Sequence, residues 1–277
     1  MKHKKFSIVT CSYQHGRFLD ATIRSVLDQG YPNLEYIVFD GGSTDESVDI
    51  LKRYDHAISY WRSTPDAGQT DALTRGIDRA TGELMGWLCS DDLLLPGALD
   101  AVAEFFDEHP DVQAVYGDAL WIDGKGECIR TKKEIEFNRF IFHYDHNYIP
   151  QPSMFWRRTL YDQVGGLNPR FDLAMDADLW DRFSQVTRIA HLRRYLSCMR
   201  YYPEQKTRAL HAEAMREDAE IRARSMLARF TPLQPWLRSA ARLHRGAWRF
   251  FIGAYFDRAP RHLIEALGHY RIAGEQR

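Results

Sequence analysis

A regular alternation of strand-like and helix-like segments, running to about residue 118, constrains the fold more than any other feature of this sequence. Compact apolar runs such as Phe6 to Cys11 and Leu34 to Phe39 have the length and β-branched content of buried strands. Stretches of helical periodicity follow them, and Gly, Pro or Asn marks the breaks. This alternation predicts an α/β fold: a mostly parallel, twisted sheet with helices on both faces. We assign it to residues 1–207 and expect residues 208–277 to form a C-terminal helical extension.

The overall charge and the cysteine pattern exclude several classes of protein. The net charge of −1 gives no reason to expect a nucleic-acid partner. The four cysteines show no C-x-x-C spacing, which argues against a zinc site or a disulfide framework and fits a reducing compartment. The basic N-terminus lacks the apolar region of a signal peptide, and no stretch approaches the roughly 20 apolar residues of a membrane span. We therefore expect a cytoplasmic protein.

Two adjacent carboxylates, Asp91 and Asp92, follow the short apolar run 84–90. In an open α/β sheet, ligands bind at the carboxyl ends of the strands. Two like charges repel each other, and burial without a partner is costly for both. A divalent cation relieves that repulsion, and hard oxygen ligands suit magnesium or manganese. The pair therefore predicts a Mg²⁺ or Mn²⁺ site at a strand end.

A third carboxylate, Asp40, ends the second predicted strand and is followed by two glycines. It can accept hydrogen bonds from a ligand, although Asp and Gly are also ordinary turn residues. Ser43 and Glu46 have capping-box spacing, which predicts a helix start there. The first strand–helix junction lacks the G-x-G-x-x-G pattern, and the chain has no G-x-x-x-x-G-K-[ST] loop. A nicotinamide or flavin dinucleotide is thus disfavoured, and a bound nucleotide must be held in another way.

A series of short motifs resembles the family 2 glycosyltransferases over about residues 6 to 207. Each motif alone is weak, but their common order and spacing make the resemblance strong. The motifs are FSIVTCSY (6–13), SVLDQ (25–29), EYIVFDGGSTD (35–45), DAGQTDAL (66–73), SDD (90–92), QPSMF (151–155), GGL (165–167) and DADLW (176–180). The resemblance implies a GT-A type fold and transfer of a sugar from a nucleotide-sugar with inversion at the anomeric carbon.

The resemblance also implies roles for individual residues on the donor side. Thr10, Tyr13 and Asp40 correspond to positions that line the nucleoside pocket. Asp66 lies in the segment that commonly holds the base or ribose, and Asp91 is expected near the ribose or the donor sugar. Uridine is the default base on this resemblance, with thymidine and guanosine diphosphate sugars left open.

For catalysis, the resemblance assigns the metal to Asp92 and the role of general base to Asp176. A cation can neutralise charge on the departing nucleoside diphosphate, and a carboxylate can take the proton of the attacking hydroxyl. Relatives often have Glu before the base, whereas Met175 stands here. Asp178 is the alternative base, although an acid at a helix N-terminus has an ordinary structural explanation.

The late strand also departs from the family pattern. Relatives often carry a histidine that contacts the metal or the diphosphate at the position of Tyr202. Tyrosine is a poorer metal ligand, so the third protein contact is left open. Arg200 and Lys206 are the candidates for cationic contacts to the diphosphate, with a solvated surface charge as the alternative for both.

The acceptor is expected to be a glycan or a lipid-linked hydroxyl compound, with bacterial surface polysaccharide synthesis implied by resemblance alone. Residues 232–277 contain eight Arg and three acidic residues among many aromatics. This composition suits peripheral contact with an anionic membrane at its inner face, or packing on the catalytic domain or on a second subunit of a homo-oligomer. A nucleotidyltransferase and a non-catalytic nucleotide-sugar-binding protein are the alternative functions.

Overall fold

The computed structural model describes residues 3–224 and 231–272. Within them, nine strands form one sheet in the order β3-β2-β1-β4-β8-β6-β9-β5, and β7 pairs with β6 outside that path. The strands are β1 (Phe6–Ser12), β2 (Leu34–Asp40), β3 (Tyr60–Ser63), β4 (Leu84–Cys89), β5 (Leu93–Leu94), β6 (Ala114–Ile122), β7 (Cys128–Lys132), β8 (Met154–Arg157) and β9 (Ile189–Arg200).

The first half of the sheet is parallel and the second half is mixed. β3, β2, β1 and β4 run parallel to one another, as the strand–helix alternation predicts. Beyond β4, strand β8 enters antiparallel to both β4 and β6, while β6 and β9 are parallel. β9 is a single long strand, and its register shifts opposite β6 near Asp118. The predicted α/β class is confirmed, and the mixed half carries the later site residues.

Helices cover the sheet on both faces. They are α1 (Gly16–Leu27), α2 (Ser47–Arg53), α3 (Gln69–Arg79), α4 (Ala98–Glu108), α5 (Arg139–Tyr144), α6 (Arg158–Gln163), α7 (Met175–Val186), α8 (Lys206–Ala209), α9 (His211–Arg222), α10 (Gln234–Phe251) and α11 (Arg261–Leu267). One apolar cluster contains Leu73 of α3 and Phe183 of α7, and a second contains Ile23 of α1 and Phe106 of α4. The sheet is therefore buried on both sides. Because both faces of its strands are covered, their sequences are continuous apolar runs rather than alternating ones.

Trp87 and Trp180 belong to the core. Both side chains are buried, and their rings stack with centroids 5.3 Å apart and planes 14° apart. Trp156 packs against both. These tryptophans are therefore structural.

The C-terminal helices lie against the rest of the chain. Glu217 of α9 accepts hydrogen bonds from the backbone N–H groups of Leu173 and Ala174 at 2.9 and 2.8 Å. Leu263 and Leu267 of α11 join a small apolar cluster with strand residues. No helix in the described parts of the chain is long and apolar enough to cross a membrane.

Candidate functional site

The candidate site lies where the parallel strands β1, β2 and β4 end. Ser12 of β1 is in register with Asp40 of β2, and Cys11 of β1 with Cys89 of β4. The chain turns sharply after Cys89, with Asp92 N donating to Cys89 O at 3.0 Å. Thr22 of α1 supports this turn, since its Oγ1 lies 2.8 Å from Ser90 O. The adjacent carboxylates therefore stand at the carboxyl edge of the sheet, where the sequence predicts them.

Asp91 and Asp92 are both buried, and each accepts one hydrogen bond. Arg200 N donates to Asp92 Oδ1 at 2.9 Å, and the Tyr202 hydroxyl donates to Asp91 Oδ2 at 2.8 Å. Burial and the neighbouring charge of Asp91 raise the pKa of Asp92 well above its ordinary value. Single ligand atoms of Cys89, Asp91 and Asp92 lie within 4.8 Å of one another. The two carboxylates are hard oxygen ligands, so the residues present fit a Mg²⁺ or Mn²⁺ ion.

Arg200 lies inside the protein rather than on the cleft wall. Its side chain is fully buried, and its guanidinium donates to the carbonyl oxygens of Asp91 at 2.7 Å and Asp123 at 3.0 Å. The guanidinium also lies 4.6 Å from the centre of the Phe18 ring. In this structure Arg200 ties the carboxylate turn to the β6–β7 turn, and its guanidinium faces protein carbonyls instead of an open diphosphate position.

Tyr202 connects the carboxylates to a histidine that the sequence analysis did not single out. The Tyr202 hydroxyl lies 3.3 Å from His15 Nε2, and His15 Nδ1 lies 2.8 Å from Ser90 Oγ. A histidine therefore does reach this site, from the β1–α1 turn rather than from the late strand. In the sequence, the position of His15 after the first predicted strand is the feature that points to it.

Tyr13 and Asp66 come together over the backbone of Gly41. A Cβ atom built on Gly41 would lie 2.9 Å from Asp66 Oδ2 and 3.2 Å from Tyr13 Cδ2. The Tyr13 ring is 61% exposed. Asp66 Oδ1 accepts a hydrogen bond from Gly68 N at 2.9 Å. An exposed aromatic ring, a carboxylate and bare backbone thus share one edge of the site.

Asp40 and Thr10 are more enclosed than the sequence analysis expected. Asp40 accepts hydrogen bonds from the hydroxyls of Ser43 and Ser63, each at 2.6 Å. The Ser43 hydroxyl therefore donates to Asp40 and does not cap a helix. The helix α2 begins at Ser47, so the predicted capping box of Ser43 and Glu46 does not form. Thr10 is buried, with its hydroxyl 3.1 Å from that of Tyr36.

Lys206 lies near this edge but is already paired. Its Nζ contacts Asp172 Oδ2 at 2.7 Å and Gln69 Oε1 at 3.4 Å. Gln69 also donates from Nε2 to Cys89 Sγ at 3.2 Å. Lys206 is thus two contacts away from the carboxylate turn.

Asp176 stands at the N-terminus of α7 in a half-buried position. Burial raises the pKa of its carboxyl to about 6. Ala177 N donates to Oδ1 at 2.7 Å and Asn147 Nδ2 donates to Oδ2 at 3.0 Å. A carboxylate with this pKa can exchange a proton near neutral pH.

Asp178, the alternative base, has a structural role as the partner of two arginines. Its carboxylate is fully buried, with Arg182 Nη2 at 2.7 Å from Oδ2 and Arg224 Nη1 at 2.5 Å from Oδ1. Two arginines therefore occupy both oxygens, and Asp176 is the acid of this pair that faces open space.

Gln151 connects Asp176 to the carboxylate turn. Both Asp176 and Gln151 line a cavity of about 510 Å³. Gln151 Nε2 donates to Trp87 O at 3.1 Å, and Cys89 Sγ lies 3.5 Å from Gln151 Oε1. Asp91 and Asp92 are not among the described residues that line this cavity, so Gln151 links it to the carboxylate turn only through its contacts with Trp87 and Cys89. His146 lines the same cavity, whereas His143 is buried with Nε2 2.9 Å from Asp181 Oδ1.

Known proteins resemble this chain in sequence and in fold. A sequence model described as Glycosyl transferase family 2 matches residues 7–165, more than half of the chain. The chain belongs to glycosyl transferase family 2. This family 2 member is 32% identical over 196 residues to the PGL/p-HBAD biosynthesis glycosyltransferase of Mycobacterium bovis, a match covering 68% of this chain and 74% of that protein. It is 31% identical over 180 residues to an uncharacterized glycosyltransferase of Mycobacterium tuberculosis, covering 62% of this chain and 66% of the relative.

Solved structures share the fold of this family 2 glycosyltransferase. S. aureus TarS 1–349 in complex with UDP-GlcNAc matches with a TM-score of 0.63 and 20% identity, covering 80% of this chain and 68% of TarS 1–349. The mannosyltransferase PcManGT from Pyrobaculum calidifontis, in complex with GDP-Man and Mn²⁺, matches with a TM-score of 0.59 and 17% identity, covering 97% of this chain and 80% of PcManGT. The predicted GT-A type fold is thereby confirmed.

Proposed function

We propose that this protein transfers a sugar from a nucleoside diphosphate sugar to a hydroxyl group, with inversion at the anomeric carbon. The observation that carries the proposal is the presence of two separate acidic centres whose surroundings are linked through Gln151. Asp91 and Asp92 lie at the sheet edge, and the desolvated Asp176 lies beyond Gln151. Family membership supports the reaction class.

The nucleoside is proposed to bind at the edge formed by Tyr13, Gly41 and Asp66. An exposed aromatic ring can stack on a base, and a carboxylate can accept hydrogen bonds from a base or ribose. Asp40 and Thr10 then act by holding the strand end in shape, because their polar atoms are engaged within the protein. UDP is the preferred nucleotide on family resemblance, and the UDP-GlcNAc complex of TarS supports this choice.

Asp92, with Asp91 beside it, is proposed to hold a divalent cation. Such an ion, when bound, stabilises the negative charge of the departing nucleoside diphosphate. Arg200 positions the pair by holding the backbone of Asp91 and donating its own backbone N–H to Asp92. Lys206 is two contacts away from the carboxylate turn, and an approach to the diphosphate would require it to leave Asp172.

Asp176 is proposed to act as the general base. The acceptor oxygen attacks the anomeric carbon while its proton passes to Asp176, and the bond from that carbon to the diphosphate oxygen breaks. Asn147 and Ala177 N orient the carboxylate through its two oxygens. The inverting course follows from attack opposite to the leaving group, with no enzyme-linked intermediate.

The domain division at residue 207, peripheral placement at the inner membrane face and a role in bacterial surface polysaccharide synthesis remain part of this proposal. The name of the Mycobacterium bovis relative, a PGL/p-HBAD biosynthesis glycosyltransferase, supports a biosynthetic role.

Donor binding and turnover together test the proposal. The full chain is screened by thermal shift against UDP-, dTDP- and GDP-sugars with Mn²⁺, and the best donor is then assayed for release of the nucleoside diphosphate. We expect one nucleotide class to raise the melting temperature and to be cleaved only when Mn²⁺ or Mg²⁺ is present. Release of pyrophosphate from a nucleoside triphosphate would instead indicate a nucleotidyltransferase, and donor binding without turnover at any acceptor would indicate a binding protein.

A further inference from the structure

The cavity beside Asp176 has a strongly basic wall. Its lining includes Arg130 and Lys132 of β7 and Arg245 and Arg249 of α10. Only two acidic side chains line it with them, Asp176 itself and Glu134. Among the described lining residues the cations therefore exceed the carboxylates by two. A cavity with this balance favours an anionic ligand.

The buried carboxylate of Glu134 uses only part of that positive charge. Arg245 Nη2 lies 3.0 Å from both Glu134 oxygens, Arg249 Nη1 lies 3.0 Å from Oε1, and Lys132 Nζ lies 3.1 Å from Oε1. Arg245 Nη1 also lies 3.6 Å from Asp145 Oδ2, so Glu134 and Asp145 together offset two of these three positive charges. Arg245 Nε is buried without a hydrogen-bond partner among the described residues.

Arg130 is the cation of this wall best placed to meet a ligand. Its guanidinium lies 5.6 Å from the Trp121 ring centre, at the cavity lining, and it forms no ion pair with any side chain in the described ranges. Phosphate groups bind to arginine through paired, charge-assisted hydrogen bonds. The wall therefore offers a phosphate group one free guanidinium beside three partly compensated cations.

The same helix that supplies two of these arginines exposes an apolar strip on its other side. Trp236, Leu243, Phe250 and Phe251 of α10 are exposed, Trp236 by 76% and Phe251 by 84%. Ordinary surface helices bury their apolar face and expose their charges, whereas α10 directs Arg245 and Arg249 inward. Exposed apolar strips of this kind mark binding or membrane surfaces.

Tyr255 joins the two features. It lines the cavity and is 58% exposed, and the Arg249 guanidinium lies 5.4 Å from its ring centre. The next residue, Phe256, is exposed and packs edge-on against Phe250 with ring centroids 6.2 Å apart. A ligand leaving the basic cavity past Tyr255 meets aromatic surface directly.

We propose that the acceptor is a membrane amphiphile that carries a phosphate group. Its phosphate binds the basic wall at Arg130, its receiving hydroxyl faces Asp176, and its hydrocarbon tail lies along the apolar strip of α10. The C-terminal helices thereby form the acceptor site as well as the membrane contact. This inference rests on the proposed function only in calling the ligand an acceptor.

The test distinguishes binding of the phosphate group from binding of the hydrocarbon tail. It uses n-octyl phosphate and n-octyl β-D-glucoside, each below its critical micelle concentration, and glucose 1-phosphate. Each is titrated calorimetrically into the full chain in EDTA without nucleotide, so the result is independent of donor binding and turnover. We expect n-octyl phosphate to bind at least about tenfold more tightly than either of the other probes. Equal affinity for all three, or glucose 1-phosphate binding as tightly as n-octyl phosphate, would overturn the proposal.

Two surface variants assign each half of the ligand. Arg130→Gln should weaken n-octyl phosphate by about tenfold and leave n-octyl β-D-glucoside unchanged. Phe251→Ser should weaken both octyl probes and leave glucose 1-phosphate unchanged. Arg193→Gln, an exposed arginine of β9 paired with Glu136, is the matched control and should change none of them. A wild-type dimer that Phe251→Ser converts to a monomer would assign the strip to a second copy and overturn the membrane assignment.

Discussion

The Tyr202 hydroxyl donates a 2.8 Å hydrogen bond to Asp91 Oδ2, which joins the end of the late strand to the carboxylate turn after β4. Burial and the charge of Asp91 raise the pKa of the Tyr202 phenol far above its ordinary value. The phenol therefore stays protonated and acts as a donor. Tyr202, at the position where the family resemblance implies a metal-binding histidine, thus supports a carboxylate by hydrogen bonding.

Tyr202→Phe removes this hydrogen bond and leaves the ring packed on Phe18. We expect Mn²⁺ to be required at about tenfold higher concentration, because groups that orient metal-binding carboxylates affect metal affinity by about 10- to 100-fold. Turnover is titrated with Mn²⁺ at saturating donor. Tyr201→Phe, at the exposed neighbouring residue, serves as the control and should not alter the curve.

Asp92→Asn should abolish metal-dependent release of the nucleoside diphosphate. The amide lacks the negative charge that holds the cation. The substitution also removes the charge repulsion with Asp91, so the site no longer needs a cation to relieve it. Activity is measured with Mn²⁺, with Mg²⁺ and with EDTA, beside the exposed control Asp100→Asn in α4. Metal-stimulated turnover that survives in Asp92→Asn would remove this residue from the metal site.

The rate of transfer should rise with pH through about 6 and then level off. Burial raises the pKa of Asp176 to about 6, and a general base works only in its deprotonated form. The pH–rate profile of kcat/KM measures this ionisation. A profile that stays flat down to pH 5 at unchanged folding would contradict the assignment of Asp176 as base.

Asp176→Asn should lose transfer while donor affinity is kept. The folded-state pKa of Asp176 lies above its unfolded value, so stability from this group is present at low pH and is lost as pH rises through about 6. The neutral amide avoids that loss, and we expect the free energy of unfolding at pH 8 to rise by roughly 1–3 kcal/mol. Urea unfolding at pH 8 and donor titration provide the two measurements.

Asp178→Asn is the matched variant two residues away, and the opposite pattern is expected. Its carboxylate is fully buried between Arg182 and Arg224, so the free energy of unfolding should fall by about 2 kcal/mol. Turnover per folded molecule should remain close to wild type. A loss of turnover without a loss of stability would make Asp178, instead of Asp176, the candidate base.

Tyr13→Ala should raise the KM for the donor by about tenfold with a smaller effect on kcat, since stacking on a base contributes roughly 1–3 kcal/mol. Tyr13→Phe keeps the ring and should restore the wild-type KM. The two KM values, measured with the preferred nucleotide-sugar, separate ring stacking from any role of the hydroxyl.

Sequence alone identified the carboxylate turn and the strand ends around it, because motif order and strand–helix alternation are local properties. It also predicted the strands at Phe6 to Cys11 and Leu34 to Phe39 and the helices of the C-terminal segment. It did not predict His15 beside Tyr202, or Glu134 surrounded by Lys132 and two arginines of α10. The His15–Tyr202 contact and the contacts of Glu134 with the two arginines join residues more than one hundred positions apart, and no spacing in the chain encodes them.

The amino-acid sequence by itself determined the α/β class, the position of Asp91 and Asp92 at a strand end and the presence of an Arg-rich aromatic C-terminal segment. Only the tertiary structure decided which acids face open space. It buries Asp178 between two arginines, leaves Asp176 in a cavity, and turns Arg200 toward backbone carbonyls. The reason is physical: ionisation and access depend on burial and on charges brought together from distant segments, whereas strand and helix patterns depend on neighbours along the chain.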